Sequence, residues 1–264
     1  MTLTLTQLNI YPVKSAAGIA LRSAQAQLRG LEFDRRWMIT DLRGKFMTQR
    51  QFPRMALIQT QIEAGKLHLS AAGMESIAVV PTENSPVKVE VWGDRCSAIP
   101  ADDVVNGWLS KFLDRPCQLV YMPDDAVRPV DRNYAVDERD RVSFADGFPY
   151  LLISEASLAD LNSRLATPLP MNRFRPNFVV SGCEPFAEDG WRKIRIGSIG
   201  FHLVKLCSRC VITTVDQATG DRGQEPLATL GSYRLRKGKI LFGQNLVPDS
   251  EGTIALGDAI EVLE

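Results

Sequence analysis

The chain has 264 residues, of which 45% are hydrophobic and 23% are charged, so it can bury a core and has the composition of a folded globular protein. Its 31 basic and 31 acidic residues give a net charge of zero, which argues against a nucleic-acid polymer or a membrane surface as the partner. With only two histidines, a histidine-rich metal site is excluded.

The amino-terminal sequence MTLTLTQLNI lacks a basic segment followed by an apolar run. No later stretch approaches the ~18 apolar residues that a membrane-spanning helix needs. The five cysteines are an odd number and are too thinly spread for a disulfide framework, so we expect reduced thiols. These features predict a cytoplasmic protein.

The first ninety residues contain short β-type segments separated by turns that contain glycine at positions 44, 65 and 73. This alternation is typical of a small sandwich or barrel, and it predicts an amino-terminal β-barrel domain over residues 1–93. The predicted strands are LTLTQLNIYPV, RRWMITD, MALIQTQIEA, KLHLSA, MESIAVV and VKVEVW.

After residue 101 the pattern changes, because ADDVVNGWLSKFLD has apolar residues at helical spacing. We therefore expect a domain boundary within residues 93–100 and a second domain over residues 101–264. The charged stretch of residues 123–147 contains two prolines and predicts a long surface loop.

The rest of the second domain is predicted as mixed, mostly β with a few helices. PYLLISEASLADLNSRL indicates a buried strand that leads into a helix, with Ser154 or Ser157 as the N-cap. PLATLGSYR predicts a short helix, and PNFVVSG, KILFGQNL and TIALGDAIEVL predict strands. The fold class expected for the whole chain is mostly β, rich in β-barrel, with a few helices.

The segment KLCSRCVITTVDQATG contains a Cys-x-x-Cys motif formed by Cys207 and Cys210. A structural zinc site needs four ligands, and no second pair follows at suitable spacing. A thioredoxin-like redox pair would begin a helix, whereas here a β-forming Val-Ile-Thr-Thr-Val run follows. The remaining alternatives are a thiolate presented to a soft metal and two buried structural cysteines.

A set of cations lies beside turn or strand signals in the sequence. If the fold gathers them, they would form a pocket for a phosphorylated ligand, because Arg gives bidentate contacts to phosphate and Lys a point charge. Scattered surface cations are the alternative. The residues are Lys14, Arg35, Arg36, Arg50 and Arg175.

Seven ordered motifs together resemble the MOSC family with its amino-terminal β-barrel domain, including the bacterial hydroxylaminopurine-resistance proteins and the mitochondrial amidoxime-reducing components. The motifs span nearly the whole chain: YPVKS, DRRW, MTQRQ, LISEASLADLNSRL, FRPN, CSRCVITTVDQATG and LFGQN. The resemblance implies a molybdenum atom on molybdopterin, with the second cysteine of Cys-x-Arg-Cys, Cys210, as catalytic residue and metal ligand.

The same resemblance implies the other residues of the site. Lys14, Ser15, Arg35 and Arg175 would line the pterin and phosphate pocket, Ser208 and Arg209 would flank the metal ligand, and the loop of Asp146, Gly147 and Phe148 would approach the cofactor through its backbone. Arg50, Ser154 and Asn177 are further expected neighbours, while Cys207 is expected to be structural and Asp216 a turn residue.

The activity that the resemblance implies is reduction of N-hydroxylated compounds, such as hydroxylaminopurines and amidoxime-like substrates. The three remaining cysteines lack the spacing of an iron–sulfur site, so electrons are expected from a separate flavin or iron–sulfur protein. The alternative is a molybdopterin or sulfur carrier that binds the cofactor without turnover.

Overall fold

The structure is a computed structural model that describes residues 2–80 and 82–264. Within this part of the chain, strands dominate and helices are few, as the sequence predicts. The first half contains β1 (Thr4–Ile10), β2 (Ile19–Leu21), β3 (Ser23–Gln27), β4 (Gly30–Leu31), β5 (Trp37–Thr40), β6 (Gln59–Glu63), β7 (Lys66–Ala71), β8 (Met74–Val79), β9 (Val87–Val91), β10 (Asp94–Pro100) and α1 (Asp103–Leu113).

The second half begins with β11 and ends with a strand close to the carboxyl terminus. Its elements are β11 (Gln118–Tyr121), β12 (Tyr150–Ser154), α2 (Glu155–Ser163), β13 (Phe178–Ser181), β14 (Lys193–Ile196), β15 (Ile199–Ser208), α3 (Leu227–Tyr233), β16 (Leu235–Arg236), β17 (Lys239–Pro248), β18 (Gly252–Ala255) and β19 (Ile260–Val262).

The largest sheet has nine strands in the order β19-β14-β15-β17-β12-β13-β1-β2, with β16 attached to β17. The pair β12–β13 is parallel, and the other pairs in this sheet are antiparallel. Smaller sheets are formed by β5-β11-β10-β9, by β6-β7-β8 and by β18-β3-β4.

Strands from the start of the chain complete sheets of the second half. β1 pairs with β13, and β3 pairs with β18. The predicted linker at residues 93–100 lies largely in β10, which joins β9 to β11. The division into residues 1–93 and 101–264 stays a prediction, because both segments share sheets.

Two main hydrophobic cores hold these sheets. In the first, α1 packs Leu109 and Phe112 against strand residues such as Leu67. The second lies on the large sheet and includes the stacked rings of Tyr150 and Phe178. Phe33 and Ile62 pack against both cores, so the two halves are in direct contact.

One local expectation from the sequence is wrong. The Val-Ile-Thr-Thr run after Cys210 forms a 3-10 turn over Val211–Thr214 instead of a strand. The hydroxyls of Thr213 and Thr214 donate to carbonyls three residues earlier, which compensates for the low helix propensity of threonine.

The loop of residues 123–147 connects β11 to β12 and is largely exposed or half-buried, as predicted, although a short segment near its end, residues 142–145, is buried. Arg128 is 3% exposed, and its guanidinium donates to the carbonyls of Ser143, Ala145 and Asp146. The Nε of Arg128 donates a hydrogen bond to the Asp94 carboxylate in β10 at 2.8 Å. Arg128 therefore ties the end of this loop to the first half of the chain.

The predicted N-cap of α2 is confirmed at Ser154, whose hydroxyl accepts the backbone N–H of Ser157. The same hydroxyl is 2.9 Å from Glu188 Oε2, and Ser157 Oγ donates to the other carboxylate oxygen. Glu188 is fully buried, so these donors satisfy a charge that would otherwise be costly. No helix of residues 2–80 and 82–264 has the length and apolarity to cross a membrane.

We expect Ser154→Ala to lower the free energy of unfolding by about 1–3 kcal/mol, because it removes both a helix cap and a donor to buried Glu188. Urea denaturation measures this change. Ser163→Ala on the exposed end of the same helix is the control, with an expected change within about 0.5 kcal/mol. Equal effects of the two substitutions would contradict the assignment.

Candidate functional site

A cavity of about 410 Å³ is lined by residues from both halves of the chain. Its walls come from the segments after β1, β4 and β5, the β9–β10 turn, the end of the 123–147 loop, the segment before β13, and the end of β15 with the turn that follows it. Twelve residues that the resemblance assigns to the site line it: Lys14, Ser15, Arg35, Arg50, Asp146, Gly147, Phe148, Arg175, Asn177, Ser208, Arg209 and Cys210.

Cys210 lies two residues beyond the end of β15 and is the N-cap residue of the 3-10 turn. Its side chain is half-buried in the cavity wall instead of enclosed in apolar packing. Arg50 Nη2 lies 3.1 Å from its Sγ. Because a guanidinium can only donate, the sulfur is the acceptor in this contact.

Arg209 fixes the backbone on which Cys210 is carried. Its Nε donates to the carbonyl of Phe242 at 2.7 Å, and its Nη1 donates to that of Phe174 at 3.1 Å. Gly243 makes room for this side chain, since a Cβ there would lie 2.7 Å from Ile153 and 3.4 Å from Arg209 Nη2. Arg209 thus anchors the segment that carries Cys210 to β17.

Three donors converge on the carboxylate of Asp146. Lys14 and Arg50 form ion pairs with it, and Trp92 Nε1 donates to Oδ1 at 3.1 Å. Burial opposes the charged form, but the two cations outweigh it and hold the pKa of Asp146 well below its usual range. Burial also lowers the pKa of Lys14 to about 8, although Asp146 opposes that shift.

A second cationic group surrounds the ring of Tyr11. The guanidinium carbons of Arg35 and Arg175 lie 4.3 and 4.2 Å from the ring centroid. Arg35 donates to Asp34 and Asn177, while Arg175 donates to the carbonyl of Ala16. Burial, together with the charge of Arg35, lowers the pKa of Arg175 to about 10, so a nearby anion would stabilise its charged form.

Three of the predicted site residues have a left-handed backbone. The φ angles are 68° for Ser15, 48° for Arg35 and 56° for Arg175. Such conformations cost of order 1 kcal/mol or more for residues other than glycine, and they concentrate at functional sites. The surrounding contacts therefore hold these side chains in place against local backbone preference.

The side chains of the cavity fit a phosphorylated cofactor that binds a metal through sulfur. The guanidinium groups suit the phosphate, and the thiol suits the metal. Arg50 Nη1 and Arg175 Nη2 are buried and have no hydrogen-bond partner among residues 2–80 and 82–264. Buried donors normally have a partner, so these two nitrogens are suited to an anion bound in the cavity. The Cys210 sulfur adds a soft ligand to the same cavity.

Other residues singled out in the sequence lie elsewhere or have structural contacts. Ser154 is a buried helix cap outside the cavity, and Arg36 bonds to Tyr121, to the carbonyl of Met122 and to Asp124. Neither residue lines the cavity, so the expectation of Ser154 as a neighbour of the site is wrong, and Arg36 is the one member of the five-cation set that the fold leaves outside. Asp216 accepts the N–H groups of Ala218 and Thr219, as a turn residue does.

Cys207 also lines the cavity, beside the Cys-x-x-Cys partner Cys210, and burial raises the pKa of its thiol. Trp92 and Lys205, which no sequence motif singles out, contribute to the same walls. Trp92 carried a signal, since a Trp-Gly pair between two strands puts an aromatic residue in a hairpin turn. Lys205 has no sequence signal of its own apart from its place two residues before the Cys-x-x-Cys motif.

Comparison with protein families gives two matches that together cover most of the chain. The model described as the MOSC N-terminal beta barrel domain matches residues 2–116, and the model described as the MOSC domain matches residues 139–261. The cavity receives residues from both matched segments, for example Lys14 and Cys210.

Curated relatives agree with these matches. Human mitochondrial amidoxime-reducing component 1 is 39% identical over 280 residues, covering 98% of this chain and 83% of that protein. The mouse protein of the same name is 38% identical, covering 98% and 82%. Rice molybdenum cofactor sulfurase is 38% identical over 262 residues, 89% of this chain but only 31% of that longer protein. The chain belongs to the MOSC family, and it carries the MOSC N-terminal β-barrel domain together with the MOSC domain.

Proposed function

We propose that the protein is a molybdenum-cofactor-dependent reductase of N-hydroxylated compounds. The observation that carries the proposal is the Cys210 sulfur, which faces a cationic cavity with Arg50 Nη2 at 3.1 Å. The names of the human and mouse relatives, which describe reduction of amidoximes, support the substrate class.

Cys210 is the proposed protein ligand of the metal. A thiolate is a soft ligand that suits a metal able to change its oxidation state. In residues 2–80 and 82–264, no group of three or more His, Cys, Asp or Glu side chains is placed to hold a metal ion. The proposed site therefore depends on this one thiolate together with sulfur from the cofactor.

The cations of the cavity are the proposed anchor of the cofactor. Arg175 Nη2 and Arg50 Nη1 would donate to its phosphate, and Lys14 would add a positive charge. Asp146 keeps Lys14 and Arg50 in place through its two carboxylate oxygens. The backbone of Gly147 and Phe148 continues the same wall.

When bound, the cofactor supplies oxygen-atom transfer, which converts an N-hydroxylated compound to the amine and water at the expense of two electrons and two protons. The protein residues bind the cofactor and fix the thiolate. A separate flavin or iron–sulfur protein is the proposed electron donor, and the cytoplasm is the proposed location.

Cys210→Ala is expected to abolish reduction of hydroxylaminopurine and to release molybdenum, because it removes the proposed metal ligand. Unfolding should be nearly unchanged, since the side chain is half-buried and lies in the cavity wall. Activity with an external reductase, metal content by mass spectrometry and thermal unfolding give the three measurements. Cys183→Ala, at a half-buried cysteine of the second core, is the matched control. Normal turnover by the Cys210 variant would disprove the assigned role.

Arg175→Lys is expected to weaken retention of the pterin cofactor roughly ten- to a hundredfold, because a charge-assisted hydrogen bond contributes about 1.5–3 kcal/mol. The lysine keeps the charge but lacks the planar fork whose Nη1 donates to Ala16 and whose Nη2 is left for the phosphate. Pterin fluorescence after extensive dialysis measures retention. Arg195→Lys, in an exposed ion pair with Glu261, should retain as much cofactor as the wild type. Equal retention by both variants would count against a phosphate contact at Arg175.

The second candidate function is a carrier that binds molybdopterin or a persulfide at Cys210 and transfers it without turnover. The similarity to rice molybdenum cofactor sulfurase favours this candidate, because it covers 89% of the chain. Assay of the metal-loaded protein with an artificial electron donor separates the two functions. A reductase consumes hydroxylaminopurine under these conditions, whereas a carrier binds the cofactor and leaves the compound unchanged.

A further inference from the structure

The turn between β9 and β10 places a large aromatic side chain at an unfavourable backbone position. Trp92 and Gly93 form a two-residue loop, because Val91 pairs with Asp94. Their φ angles are 55° and 91°, both positive, as a type I′ turn requires. Asn and Gly are the residues that usually occupy such a turn. The backbone therefore gives no reason for a tryptophan here, and the reason must lie with its side chain.

The indole of Trp92 is held by contacts on several sides. The guanidinium carbon of Arg50 lies 4.4 Å from the ring centroid, and Nε1 donates to Asp146 Oδ1 at 3.1 Å. The ring of Phe46 packs against it at 4.9 Å with a tilt of 55°. Despite these contacts, Trp92 is 49% exposed. It is a fixed aromatic surface with a large uncovered area.

This aromatic surface adjoins the candidate metal ligand. Trp92 lines the same cavity as Cys210, and the side chain of Arg50 contacts both of them, the ring through its guanidinium face and the sulfur through Nη2. A flat molecule that stacks on the indole would therefore lie at the cavity wall beside the thiol. The cationic residues Arg35 and Arg175 belong to a different part of the wall, around Tyr11.

We propose that Trp92 is a specificity-determining residue that binds the substrate by stacking, and that the preferred substrates are planar heteroaromatic N-hydroxylated compounds. This inference rests on the proposed reductase function. Stacking needs a π-face and no particular pattern of hydrogen bonds, so the site selects flatness over the identity of the ring. Aliphatic N-hydroxylated compounds gain nothing from the indole and depend on the rest of the cavity.

The test compares Trp92→Asn with Trp92→Phe in the metal-loaded protein. Asn removes the ring but suits a left-handed turn position before glycine, so the hairpin should remain folded. Phe keeps an aromatic face. The readout is the ratio of kcat/KM for hydroxylaminopurine to kcat/KM for N-methylhydroxylamine. We expect this ratio to fall roughly tenfold in Trp92→Asn and to stay within about threefold of the wild-type ratio in Trp92→Phe, because loss of one stacking contact has an effect of this size.

Trp108→Phe is the matched control, since Trp108 lies on α1 and its Nε1 bonds to the carbonyl of Glu75. Its ratio should equal that of the wild type. An unchanged ratio in Trp92→Asn, including the case in which both substrates lose activity equally, would overturn the proposal and leave Trp92 as a structural support for Arg50.

Calorimetric titration with hydroxylaminopurine separates this proposal from the proposed function. If the wild type reduces neither compound, the reductase function fails, and binding alone decides the role of Trp92. Roughly tenfold weaker binding by Trp92→Asn than by the wild type would then support stacking on the indole. Equal affinities would overturn it.

Discussion

The ion pairs at Asp146 are the interaction on which the cavity depends. Lys14 is 4% exposed, and burying its charge beside Arg50 would be costly without a partner. The Asp146 carboxylate offsets this cost for both cations, and Arg128 fixes the loop that carries it by donating to the Asp146 carbonyl. Arg50, held in this way, reaches the sulfur of Cys210. One carboxylate therefore positions a donor at the candidate metal ligand.

The electrostatics leave the cavity prepared for an anion. Around Tyr11, Arg175 has a pKa lowered to about 10 by burial and by the charge of Arg35, which shows that its charge is incompletely compensated. Its Nη2, which has no hydrogen-bond partner in the described part of the chain, agrees with this. A phosphate would satisfy the donor and offset the charge at once, whereas a neutral ligand would do neither. The excess of positive charge is local, because the chain as a whole is neutral.

The sequence predicted those elements whose signal is local. The helices α1 and α2 have apolar periodicity or a capping serine, and both were found where expected. The strand β3 was missed because Ser23–Gln27 is short and largely polar, and its partner β18 lies more than two hundred residues away. The turn after Cys210 was predicted as extended because β-branched residues favour strands, and the threonine hydroxyl bonds that stabilise the 3-10 turn are invisible to propensity.

The same distinction between local sequence signals and tertiary contacts explains which site residues could be predicted. Motif resemblance located residues that line the cavity and did not include Arg36, whereas charge alone grouped Arg36 with its neighbour Arg35. The backbone separates them: Arg35 has a φ of 48° and points to Asn177, while Arg36 bonds to Asp124 on the 123–147 loop. Trp92 was missed for the opposite reason, since no motif contains it and only the folded hairpin brings it to Arg50. The residues proposed to hold the cofactor thus lie in recognisable motifs, whereas the residue proposed to select the substrate depends on tertiary placement.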